Sequence, residues 1–175
     1  MSSTALMCIP IGVVVERRKA KSQWLDFVWR PISVLAGKLA AAPWTPIGGG
    51  IETSIFYAGE ALIELHRTET ANYRENLVSG TPALWVVLRP TASEPAYEIV
   101  TVTADPSEGE AFTDAGNDLV EAVRMPVAII EQIDGFIAEH SEHHVERPFI
   151  KRQREQSIRK HVAGGLLQCG RRPGV

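Results

Sequence analysis

Ala83-Leu84-Trp85-Val86-Val87-Leu88-Arg89, followed after Pro90–Pro95 by Tyr97-Glu98-Ile99-Val100-Thr101-Val102-Thr103, decides the fold class of this chain. The first run is the most hydrophobic stretch of strand type, which suits a central strand, with Trp85 in the core. The second alternates apolar and polar, the pattern of a strand with one buried face. The connection between them is hairpin-length and too short for a helical crossover, so the pair is expected to be antiparallel.

Working outward, Asp105-Pro106-Ser107-Glu108 is a helix start. Asp105 caps a free N–H, Pro106 fits the first helical position, and Glu108 is placed to reach back to the cap. That helix should stop near Gly116, and Leu119–Met125 reads as a last strand. Pro126 opens the clearest helix, with Val127, Ile130, Ile133 and Ile137 on one face, widened by Ile129 and Phe136, as far as about His140. Upstream, Ile11–Arg17 is a Val-rich strand ended by the charge run from Glu16 to Lys21. Trp24, Phe27 and Trp29 follow at spacings that fit either a helical turn or a strand entry. Ile32–Leu35 is a second strand, closed by Gly37. Lys38–Gly50, with Pro43, Pro46 and three consecutive glycines, reads as a loop. Thr53–Tyr57 and Ala61–Arg67 read as a hairpin around Ala58-Gly59-Glu60, and Thr68–Asn76 as a short helix or turn. Hairpin links outnumber crossovers, so the expectation is an α+β domain, a mainly antiparallel sheet covered on one face by two or three helices concentrated in the C-terminal half. A single domain over 1–150 and a basic tail over 151–175 follow.

Size and composition suit one soluble domain: 175 residues, 45% hydrophobic and 22% charged. No apolar run approaches the roughly 20 residues of a membrane span. Cys8 and Cys169 form neither a disulfide framework nor a metal motif, which points to reduced thiols and a cytoplasmic setting. The net charge of -3 hides an asymmetry: residues 151–175 carry seven Lys or Arg against the one acid Glu155. Such a tail suits an acidic protein surface, nucleic acid, or the chain's own body.

Four groups of residues stand out as candidate sites. His140, His143 and His144 lie near the end of the last helix at spacings that bring imidazoles to one face, the weak metal candidate; a solvated helix terminus is the expected reading, and no metal is expected. Glu64 and His66 share a strand face, but no nucleophile accompanies them, and a salt-bridged outer face is the expected reading. Trp44, in a proline-flanked loop, is the candidate exposed anchor for a partner. Arg67 and Arg74, with Lys151, Arg152 and Arg154 in the tail, are the charged partner-binding candidates; Lys151 to Arg154 would meet phosphates only in a sequence-blind way. No nucleotide-cradle motif, nucleophile elbow or CxxC occurs, so no cofactor is expected.

Gly12-Val13-Val14-Val15-Glu16-Arg17-Arg18, Trp29-Arg30-Pro31, Leu65-His66-Arg67 with Tyr73-Arg74 and Asn76-Leu77, Val86-Val87-Leu88-Arg89, Met125-Pro126 and Pro148-Phe149-Ile150-Lys151-Arg152 occur in an order that resembles a proteobacterial family, domain of unknown function 3305. Its members are often labelled molybdopterin-guanine dinucleotide biosynthesis protein A and tend to be encoded near molybdenum formate dehydrogenase genes. The guanylyltransferase behind that label carries a Leu-Ala-Gly-Gly phosphate loop; Leu35-Ala36-Gly37-Lys38 lacks the second glycine. The resemblance implies a link to assembly or control of formate dehydrogenase; with the acidic body, the basic tail and no catalytic constellation, the favoured reading is a non-enzymatic accessory protein with that enzyme or its maturation factors as protein partner. Two alternatives remain open from the residues: an enzyme or binder for a nucleotide or molybdopterin gathering Arg67, Arg74 and Arg89, and a nucleic-acid-binding regulator working through the tail. Self-association is also left open.

Overall fold

The computed structural model describes residues 5–141. Its strands are β1 (Met7–Lys19), β2 (Phe27–Ala36), β3 (Thr45–Gly49), β4 (Thr53–Leu65), β5 (Ala83–Pro90), β6 (Tyr97–Thr103) and β7 (Leu119–Arg124), with helices α1 (Thr70–Val78), α2 (Pro106–Asp114) and α3 (Val127–Ser141). The fold is α+β with antiparallel pairing throughout, and two of the three helices lie in the C-terminal half. Instead of one sheet there are two: β2-β1-β4-β3 and β6-β5-β7. They meet along their margins, β4 alongside β6 and β2 alongside β7, without a hydrogen-bonded ladder at either seam. The Arg30–Glu121 ion pair, at 2.9 Å, spans the β2–β7 seam. β4 beyond Tyr57, and β6 along its length, are paired on one side only.

Both sheets turn apolar residues into one core. β1 supplies Ile9, Ile11, Val13 and Val15, β4 supplies Ile63 and Leu65, and β5 supplies Leu84, Val86 and Leu88, all at most 1% exposed. The expected central position of β5 is borne out: it pairs with β6 on one side and β7 on the other. Trp85 is half-buried outside that core. Gly109 of α2 sits against its ring, where an added Cβ would lie 2.2 Å from Cγ. Helix α3 turns Ile129, Ile133, Phe136 and Ile137 into the core and leaves Val127 68% exposed. The apolar stripe therefore follows i, i+4, i+7 and i+8 from Ile129, rotated from the expected stripe that began at Val127.

Three local expectations are corrected. The hairpin proposed around Ala58-Gly59-Glu60 is one continuous strand, β4. β1 pairs with both of its halves, and Gly59, at φ +132°, accompanies a register shift between Val13 and Val14. A glycine in a buried strand is as often a bulge as a turn, and the bulge keeps the chain running forward. The loop proposed for Lys38–Gly50 contains β3, which pairs with the start of β4 and closes through Gly49 at φ +134°. β1 continues through the charge run to Lys19, because β2 and β4 hold it from both sides. The capping arrangement is also shared differently. Asp105 accepts from the Ser107 N–H as expected, at 2.8 Å, but Glu108 takes the Thr103 hydroxyl at 2.6 Å.

One buried side chain ties α1 to the second sheet. Asn76 donates to Ala83 O and Ala104 O, at 2.8 and 2.9 Å, and accepts from the Ala83 N–H at 3.0 Å. Asn76→Leu would orphan these backbone groups in the interior, so it is expected to cost about 3 kcal/mol in urea unfolding with an unchanged m-value. The Tyr73 hydroxyl oxygen accepts from the His66 N–H at 3.0 Å and is buried beside Phe136. Burial pushes its pKa up to about 12, opposed by the His66 hydrogen bond. The folded state then holds this proton more tightly than the unfolded chain. Its contribution to stability is intact below pH 10 and is lost as pH rises toward 12. Alkaline unfolding of Tyr73→Phe should lack that part of the decline.

Candidate interaction surface

The β1–β2 hairpin sets Arg17 opposite Trp29 and Lys19 opposite Phe27, while β4 sets Ser54 beside Arg17 and Phe56 beside Val15. Alternation along the strands puts Arg17, Phe27, Trp29 and Phe56 on the same face. Trp29 is the hub: its ring lies 5.9 Å from Trp44, 5.7 Å from Phe56 and 5.8 Å from Tyr97, centroid to centroid. Such tilted and edge-on pairs suit the aromatic quadrupole. The Arg17 guanidinium lies over this group, 4.5 Å from the Phe27 ring, 5.2 Å from Phe56 and 5.6 Å from Trp29.

Beyond the aromatic group the two hairpin ends project side by side, joined by Lys19 N–H donating to Glu52 O at 2.9 Å. They leave Trp24 (91% exposed), Leu25, Phe27 and Val28 uncovered on one hairpin and Ile47 and Ile51 on the other. Lys19 and Lys21 stand among them. Single exposed apolar residues are ordinary; a Trp, a Phe and several aliphatics gathered at one end with basic neighbours have the composition of a protein-docking surface.

The sequence candidates are distributed otherwise. Trp44 is half-buried and packs against Trp29 and the core, with its backbone at φ 64°. That left-handed conformation is costly for a bulky residue and is offset here by the ring's burial. Arg67, in the 3-10 turn before α1, and Arg74, on α1, are exposed. Arg89 lies six residues along β5 from Ala83, roughly 20 Å from the α1 end of that strand. There it grips Asp118 through two hydrogen bonds, at 3.0 and 2.8 Å, and holds that carboxyl below the usual range. The three arginines do not converge on one concave site. Glu64 and His66 are 3.9 Å apart on the wall of a groove of about 430 Å³ between β4 and β6, which Thr101, Thr103 and Glu108 complete. No hydroxyl partners the His66 ring, and Glu108 is engaged by Thr103, so no activated nucleophile is formed there among the described residues. His140 stacks on Phe136 at 4.2 Å, and its Nδ1–H donates to Phe136 O at 2.9 Å. His143, His144, Lys151, Arg152 and Arg154 lie outside the described residues. Among the described residues no group of three metal-ligating side chains occurs, and no helix is long and apolar enough to cross a membrane.

Arg17, Phe27, Phe56, Trp24 and Ile51 were not singled out as a site from sequence. The available signal was the period of two shared by Arg17/Lys19 and Phe27/Trp29 on either side of the 20–26 turn, which reads as one face of a hairpin once β2 is started at Phe27. The exposed apolar side chains make few contacts within the chain. Trp24→Ser with Ile51→Ser is therefore expected to leave the unfolding free energy within about 0.5 kcal/mol of the wild type, by chemical denaturation. Comparison with curated proteins and with solved structures returned no match. The family model described as "Protein of unknown function (DUF3305)" matches residues 10–153, most of the chain and all of the surface just described, and the chain belongs to that family.

Proposed function

We propose that this chain is a cytoplasmic accessory protein that docks on a protein partner through the ends of its β1–β2 and β3–β4 hairpins. We propose further that the partner is a molybdenum-dependent formate dehydrogenase or one of its maturation factors. The observation that carries the docking reading is the exposure of Trp24, Leu25, Phe27, Val28, Ile47 and Ile51 together at one end of the first sheet. Apolar anchors of this kind release water on binding and supply most of the energy of a small interface. The dispersal of Arg67, Arg74 and Arg89 supports this reading over that of a nucleotide or pterin enzyme, which needs convergent polar groups in a pocket. The identity of the partner rests on the family resemblance to proteins encoded near formate dehydrogenase genes.

The test is co-purification with the tagged full chain from its own cells grown on molybdate and formate. Formate dehydrogenase subunits or their maturation factors should accompany the wild type and fall at least about tenfold with Trp24→Ser/Ile51→Ser, the loss expected when anchors worth more than 1.4 kcal/mol are removed. Equal recovery with both proteins would sink the docking surface. A co-purifying nucleotide or pterin with no protein partner would replace the accessory reading by a small-molecule one.

A further inference from the structure

Arg17 is a cation without an anion. Its guanidinium is held between three aromatic rings, yet among the described residues no carboxylate pairs with it, and the Nη2 group has only a long contact, 3.4 Å, to Ser54 Oγ. Its Nε is the one buried side-chain nitrogen or oxygen among the described residues with no hydrogen-bond partner. The acids nearby are placed elsewhere. Glu16 alternates to the opposite face and pairs with Arg18 at 3.2 Å. Asp26 and Glu52, at the two hairpin ends, enter no ion pair with Arg17 among the described residues. Arg30 and Arg89, both exposed, each have a carboxylate within 2.9 Å.

Stacking on aromatic faces fixes the plane of a guanidinium while leaving its outer N–H groups free for a fork-shaped acceptor. A cation held this way against the exposed Phe27, at the same end of the sheet as Ile47 and Ile51, matches an acidic residue flanked by apolar ones. The carboxylate meets the outer guanidinium N–H groups, and its neighbours cover Phe27, Ile47 and Ile51. We infer that Arg17 is the polar anchor of the docking surface, and that the partner segment seated there is a protein strand or loop presenting an Asp or Glu between large apolar residues. This rests on the docking reading above and adds to it the chemistry of the partner.

The test titrates the full-length wild-type chain with acetyl-Leu-Asp-Phe-amide and, separately, acetyl-Leu-Asn-Phe-amide, following the Arg17 Nε–H and the Trp29 indole N–H by ¹H–¹⁵N NMR. The aspartyl peptide should give saturable shifts at these two signals, in the millimolar range expected of so small a ligand, with affinity at least about tenfold above the asparaginyl peptide. Arg17→Gln should remove that preference while the Tyr73 and Phe136 signals of the core stay in place. Equal affinity for the two peptides, shifts confined to another part of the chain, or no saturation by about 20 mM would overturn the inference. So would binding to phosphatidylglycerol vesicles that needs Arg17 when the peptides give nothing, since the anion is then a lipid headgroup. The outcome is separable from the co-purification. An aspartate-selective response with no dehydrogenase recovered keeps the Arg17 anchor and removes the named partner, whereas recovered dehydrogenase that is indifferent to Arg17→Gln removes the anchor and keeps the partner.

Discussion

The structure depends on β1 being gripped from both sides. It pairs with β2 and with β4 over most of its length, and its register shifts at adjacent points, between Val13 and Val14 against β4 and between Val14 and Val15 against β2. Bulges at the same level in neighbouring pairs bend a sheet sharply. One strand thus delivers Ile9, Ile11 and Val13 to the core and then carries Arg17 and Lys19 out to the hairpin end. Gly12 belongs to the same device: a Cβ there would lie 2.7 Å from the Tyr57 ring of β4.

Much of this architecture was legible because local rules and tertiary packing agree. Ala83–Arg89 is apolar enough to be read as a central strand, and it is paired on both sides. Asp105-Pro106 starts a helix by its own chemistry whatever surrounds it. The legible part stops where a residue type has two uses. Gly59 serves a bulge where a turn was expected, and choosing between them requires knowing that β1 is long enough to pair with both halves of β4. The division into two sheets is likewise non-local, since no feature of β6 alone says that its free margin lies beside β4.

The candidate surface was less legible than the fold for the same reason. Trp44 attracts attention because prolines flank it, yet its ring is a prop for Trp29. Arg17 hides inside a charge run that looks like a strand terminator. Its character comes from Phe27 and Phe56, which lie ten and 39 positions away in sequence and are brought within about 5 Å by pairing on both sides of β1. Charge and aromaticity were visible in the sequence, but the register that joins them was not.

The free margins of β4 and β6 have a consequence for the molecule in a crowded solution. An unpaired strand is an open template, and two copies with matching open templates can zip together into polymers. Here Glu60 and Glu64 punctuate one margin and Glu98 the other, all exposed. Charged side chains along an edge disfavour the addition of a further strand, and Glu60 is held there by Lys38 at 3.2 Å. The groove between β4 and β6 carries Glu60 and Glu64 on its wall, so the apolar docking end stands beside strand edges that are marked by charge.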